Sequence, residues 1–120
     1  MSTEKQSILE TVVRAADAKK AEDIIALDMR GISILADYFV IMHGNSERQV
    51  GAIMNGIRDA ASEHGFSINR IEGQEGGTWI LMDAGEVIIH IFQHETRTFY
   101  NLERLWSDAP LVDVGDWMTE

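Results

Sequence analysis

Between residues 78 and 93 apolar residues run almost unbroken through two short stretches. Thr78-Trp79-Ile80-Leu81-Met82-Asp83 and Glu86-Val87-Ile88-Ile89-His90-Ile91-Phe92-Gln93 are two β-rich runs joined by Ala84-Gly85. A short connection containing glycine predicts a hairpin closed by a tight primed turn. With Asp83 opposite Glu86, Leu81 falls opposite Ile88 and Trp79 opposite His90. Side chains alternate between the faces of a strand. One face is therefore aliphatic, with Ile80, Met82, Val87, Ile89 and Ile91, and suits a core packed against helices. The other carries Trp79, Leu81, Ile88, His90 and Phe92, a mixture of aromatics and histidine that suits contact with another protein. A central strand buried on both sides has the same pattern, so periodicity alone leaves both readings open.

The rest of the chain supplies elements to pack on this hairpin. Thr3-Glu4-Lys5-Gln6 resembles a capping box. Ile8, Val12, Ala15 and Ala16 then keep a helical period as far as Lys19-Lys20. Residues 23–28 predict a short strand, and Gly31 to Asp37 a connection. The unbroken apolar run Tyr38 to Met42 predicts a buried central strand. A second capping box, Ser46-Glu47-Arg48-Gln49, opens a helix in which Val50, Ile53, Ile57, Ala60 and Ala61 recur, closed by His64-Gly65. Phe66 to Gly77 predicts a glycine-rich loop with an edge strand at Ile68 to Ile71, and Thr96 to Trp106 a final helix stopped by Ala109-Pro110. The order α-β-β-α-(β)-β-β-α predicts an α/β domain over residues 1–110, a mixed sheet of four to five strands with helices packed on it. Residues 111–120 form a tail whose Val112, Val114 and Trp117 leave its packing open. Three main helices suffice for the aliphatic face, which favours an aromatic face left partly open.

Composition narrows the class. A chain of 120 residues, 45% apolar and with one proline, has material for a single core. It contains no cysteine, hence no disulfide framework or thiolate chemistry. No run is long and apolar enough to span a membrane. Residues 1–6 lack a signal or transit pattern, so a cytoplasmic location is expected. Twenty acids against ten bases give a net charge of −10, and the bases are scattered. Such a chain is poorly suited to nucleic acid, and a basic protein surface would suit it better as a partner. Acidity serves solubility as well.

Candidate chemistry is sparse. Gly44-Asn45-Ser46 lies between a strand and a helix, where backbone amides can hold an anion, but it lacks the lysine and glycines of a phosphate loop and suits a simple cap. His90 and His94 stand four apart, a spacing that converges ligands on a helix and not on a strand, so no metal or other cofactor is expected. His90 is either a packing residue or an interface donor. Asp28, Asp37, Glu72 and Glu75 assemble no acid–base pair by spacing, and no catalytic residue is expected.

Several blocks, in order, resemble one family. They are Ala36-Asp37-Tyr38-Phe39-Val40-Ile41, Gly44-Asn45-Ser46-Glu47-Arg48-Gln49-Val50, Glu72-Gly73, Trp79-Ile80-Leu81-Met82-Asp83, Val87-Ile88-Ile89-His90-Ile91-Phe92 and Phe99-Tyr100-Asn101-Leu102-Glu103-Arg104-Leu105-Trp106. Together, over roughly residues 5 to 110, they are similar to the ribosomal silencing factors, the Iojap-like family. The resemblance implies a fold like that of nucleotidyltransferases without their catalytic carboxylates. It also implies a non-enzymatic role: binding protein number fourteen of the large ribosomal subunit, and blocking subunit joining when nutrients are scarce. Some members of the family also act in subunit assembly. Trp79 matches the family's hairpin tryptophan, His90 its strand histidine and Tyr100 the tyrosine of its last helix. The expected partner surface is Trp79, Leu81, Ile88, His90, Phe92 and Tyr100. The tail after Pro110 departs from the family pattern. Two other readings remain: a nucleotide-binding enzyme using Asp28 or Asp37 with the Gly44-Asn45-Ser46 turn, and a homodimer paired through the hairpin face.

Overall fold

A computed structural model describes residues 2–118, with side chains from residue 8 onward. The capping box expected at Thr3 to Gln6 lies outside the described side chains. In chain order the elements are α1 (Ser2–Ala18), β1 (Glu22–Asp28), β2 (Tyr38–Gly44), α2 (Glu47–His64), β3 (Arg70–Glu72), β4 (Trp79–Asp83), β5 (Val87–Gln93), α3 (His94–Tyr100), α4 (Leu102–Leu105) and β6 (Leu111–Val112), followed by a 3-10 turn at Gly115–Trp117. The strands form one mixed sheet in the order β3-β4-β5-β2-β1-β6. β2 and β5 run parallel at its centre, and every other pairing is antiparallel. There are thus six strands where four to five were expected. The sixth comes from the residues set apart as a tail: Leu111 and Val112 pair with Leu27 and Ala26, and Val114 is buried in the core.

The aliphatic face does what its composition requires. Ile80, Met82, Val87, Ile89 and Ile91 join Ile24, Ala26, Val40 and Met42 from the neighbouring strands. Leu9, Val12, Val13 and Ala16 of α1, and Val50, Ile53 and Ile57 of α2, close over them. Two helices therefore cover this face. α2 begins as its sequence dictates: Ser46 Oγ accepts from the Gln49 amide at 3.1 Å, and Gly65 ends the helix in the left-handed region at φ 80°. The reciprocal bond is displaced by one residue, since Gln49 Oε1 accepts from the Asn45 amide at 2.8 Å rather than from that of Ser46.

The hairpin register differs from the expected one by two residues. Trp79 pairs with Phe92, Leu81 with His90 and Asp83 with Ile88. The Ala84 amide donates to the Val87 carbonyl at 2.9 Å, so the connecting residues are Gly85 and Glu86. The reason is conformational. The first central position of this turn requires positive φ, which Gly85 supplies at 85° and which alanine would adopt only under strain. Asp83 Oδ1 accepts from the Gly85 amide at 2.9 Å and secures the turn. A slip of two preserves side-chain parity, so both faces keep their predicted members.

The last helix also differs. It starts two residues early, at His94, and breaks at Asn101, which takes φ 49° and ψ 59°. Asparagine tolerates that conformation better than most side chains. The break turns α4 back over the sheet, where Leu102 and Ala109 pack with Leu27, Met29, Ile41 and Phe92 in a second, smaller core. The predicted edge strand is likewise displaced, to Arg70–Glu72.

Candidate protein-docking face

The second face of the sheet is half covered by α3 and α4, and its uncovered half centres on Trp79. Five of the six expected residues lie on this face by strand parity, and Tyr100 reaches it from α3. Their exposures separate them into two layers. Phe92 (0%) and His90 (5%) are buried beneath the chain's own groups, so an open placement for these two is corrected. Phe92 is sealed because α4 folds back at Asn101, a bend that helical spacing did not reveal. Trp79, Leu81 and Ile88 are only partly buried, and Tyr100 retains 49% exposure.

The buried pair forms a pedestal for the indole. Trp79 lies 5.0 Å from the Phe92 ring and 4.7 Å from the Tyr100 ring, between centroids. Its Nε1–H donates to His90 Nδ1 at 3.2 Å. Because Nδ1 accepts, the neutral imidazole carries its proton on Nε2, a buried atom without a hydrogen-bond partner. Burial disfavours the imidazolium and pushes the His90 pKa down to about 4. His90 is therefore an uncharged packing residue that orients the indole. Its ring stacks on Phe92 and receives the edge of Phe39 at 5.1 Å.

Three contributors, Phe39, Trp106 and Phe99, were not among the expected surface residues. Phe39 reaches this face because β2 lies parallel to β5, with Phe39 beside Ile88. Trp106 meets the Phe39 ring at 5.9 Å, edge-on. The only forewarning of Phe39 was its alternate position in the run Tyr38 to Met42. At the other end Phe99 stands 79% exposed, with its ring 5.1 Å from Tyr100. Thr78, Trp79, Glu95, Thr96, Phe99 and Tyr100 line a groove of about 440 Å³ there. Rings thus run without interruption from Trp106 through Phe39, His90, Phe92, Trp79 and Tyr100 to Phe99.

The alternative chemistry finds its groups engaged elsewhere. Both carboxylate oxygens of Asp28 are held by Arg30, at 2.9 and 2.7 Å, and the pair lowers the Asp28 pKa. At the Gly44-Asn45-Ser46 turn, the Asn45 amide goes to Gln49 and the Asn45 side chain to Glu22 at 2.7 Å. His94 lies against His43, with ring centroids 5.0 Å apart. No group of three ligating side chains is placed to hold a metal ion among the described residues. No helix among them is long and apolar enough to cross a membrane.

Comparison with known proteins places these features in a family. The family model described as "Ribosomal silencing factor during starvation" matches residues 2–120, which takes in the segment after Pro110. A ribosomal silencing factor of Bacillus subtilis is 49% identical over 116 residues, covering 97% of this chain and 98% of that protein. A chloroplastic protein Iojap of Zea mays is 32% identical over 104 residues, covering 87% of this chain and 45% of that protein. A crystal structure from Bacillus halodurans superposes with a TM-score of 0.81 at 47% identity, covering 90% of this chain and 98% of that one. The chain belongs to the ribosomal silencing factor family, whose curated members are named as regulatory proteins and not as enzymes.

Proposed function

We propose that this protein represses translation by binding the large ribosomal subunit in the cytoplasm through the Trp79 face. The contact surface is Trp79, Leu81, Ile88 and Tyr100, seated on His90 and Phe92. The partner is the basic protein number fourteen of the large subunit, and occupation of its surface excludes the small subunit when nutrients are limiting. The mechanism is steric. One observation carries the reading: an indole oriented by a buried histidine and a buried phenyl ring, with Tyr100 and Phe99 exposed beside it. Aromatic anchors at the centre of an interface supply most of its affinity, and the net charge of −10 favours a basic partner. A mouse relative is named for mitochondrial assembly of the large ribosomal subunit, which supports a large-subunit target. We also infer kinship of the sheet with nucleotidyltransferases whose chemistry has been lost, in keeping with an Asp28 committed to Arg30.

The test is co-sedimentation with purified large subunits. Trp79→Ala is expected to abolish binding while leaving the circular dichroism spectrum unchanged. Normal co-sedimentation of this variant contradicts the proposal. Light scattering across a dilution series checks the competing use of the same face for self-association.

A further inference from the structure

Behind α3 lies a buried polar cluster that the docking reading does not use. Among the described residues, three polar or charged side chains are buried: His90, His43 and Arg97. The last two meet. Arg97 Nη1 stands 2.9 Å from His43 Nδ1 and 3.4 Å from the Glu22 carbonyl oxygen, while Nε donates to Glu103 Oε2 at 3.2 Å. One guanidinium therefore ties α3 to β1, β2 and α4 together.

The donor inventory fixes the protonation state. Arginine only donates, so His43 Nδ1 must accept, and the imidazole is neutral with its proton on Nε2. That nitrogen faces Glu22 Oε1 at 3.5 Å. A proton added at Nδ1 would set one donor against another and one cation against another. The groups around His43 are Glu22 and Asp23 on β1, and Arg97 and His94 on α3. The two acids favour the imidazolium, whereas burial, Arg97 and His94 oppose it. Opposition wins, and the His43 pKa lies below its ordinary value.

α3 has only seven residues. A helix that short does not hold its place alone, so its contacts set where it sits. Arg97 and Tyr100 stand three apart on it and so share a face. Arg97 anchors that face in the sheet through His43, and Tyr100 rests on Trp79 beside it.

We propose that Arg97 is a positioning residue for the docking face, and that the Arg97–His43 pair is a proton-sensitive brace holding Tyr100 against Trp79. When His43 takes a second proton, Arg97 loses its acceptor, α3 loosens, and affinity for the partner falls. The effect on binding rests on the docking proposal above; the brace itself is a property of the free protein.

Two measurements separate these claims. In the free protein, NMR follows the His43 ring and the Tyr100 and Trp79 rings between about pH 7.5 and 5, the range in which histidines titrate. The Tyr100 and Trp79 signals are expected to shift with the His43 midpoint. They should be flat in His43→Gln, whose amide oxygen accepts from Arg97 but does not titrate, and should still shift in His94→Gln. In co-sedimentation, wild-type affinity is expected to fall as pH drops through the His43 midpoint, by up to about tenfold once the ring is fully protonated, the scale of one charge-assisted hydrogen bond. That of His43→Gln should change by less than about twofold over the same range. Glu103→Ala, which frees another arm of Arg97, should weaken binding at neutral pH with little change in Tm. Aromatic signals that stay fixed while His43 titrates, or an equal acid response in His43→Gln, overturn the brace. Binding indifferent to Trp79→Ala faults the docking proposal instead, and the ring signals then still decide the brace.

Discussion

The pedestal under Trp79 makes a quantitative prediction about acid. His90 is 5% exposed, has no charged partner, and has a pKa of about 4 against an ordinary 6.5. Between those values the unfolded chain takes up a proton that the folded chain refuses. The stability due to neutral His90 is therefore complete above pH 6.5, declines as pH falls through the window, and levels off below about pH 4. The gap corresponds to about 3 kcal/mol, a large share of the stability of a domain this size. The perturbation is His90→Leu, which removes the titrating ring and leaves the Trp79 N–H, at a partly exposed indole, to bond water. The assay is urea unfolding of both proteins at pH 7 and pH 4. The carboxylates titrate in both and cancel in the comparison, as does His43. Wild type should lose about 3 kcal/mol more than the variant on acidification, whatever their difference at neutral pH. A parallel NMR titration should leave the His90 ring unchanged from pH 7 to about 5.5. Equal acid losses in the two proteins would refute the argument, since a buried neutral histidine cannot avoid this linkage.

Three further outcomes test the layering of the face and its charge. Phe92→Ala should cost about 3–5 kcal/mol in urea unfolding, as a fully buried ring does, whereas Tyr100→Ala should cost under about 1 kcal/mol and yet weaken binding to large subunits. Gly73→Ala should destabilise by more than about 2 kcal/mol and disturb Trp79 fluorescence, because Gly73 sits at φ 86° and its Cβ would intrude on the Trp79 carbonyl oxygen. The association rate with large subunits, followed by stopped flow, should fall as salt rises, because an acidic chain is steered toward a basic surface.

What could be read in advance followed from local rules. The faces of the hairpin were legible because parity survives a register error of two. α2 was legible because its cap residues and its apolar period agree with each other. The parallel pairing of β2 with β5 was not, since nothing local marks two runs more than forty residues apart as neighbours. That pairing is what brings Phe39 beside Ile88 and completes the ring surface. The break at Asn101 escaped notice because asparagine tolerates both helix and left-handed turn. Arg97 looked like one of ten scattered bases; its role depends on His43, distant in sequence, and on a fold-back that only the assembled sheet provides. Local periodicity reveals which face a side chain takes, but not which other segment will cover it.

The burial of Phe92 and His90 bears on how such a surface binds. An anchor residue contributes affinity in proportion to the apolar area it brings, less the freedom it must surrender on docking. Tryptophan brings a large area on two rotatable bonds. Here one edge of the indole is held by His90, one face lies by Phe92, and Tyr100 lies by its ring. Most of its freedom is thus spent in folding, before any partner arrives. A hairpin with both rings free in solvent would offer more area but a less ordered anchor. The same arrangement explains why the histidine is kept uncharged: an imidazolium at Nδ1 would donate rather than accept, and would turn the indole N–H away. Orientation of Trp79, neutrality of His90 and closure of α4 over Phe92 are therefore one structural condition, and a perturbation of any of them should reach the other two.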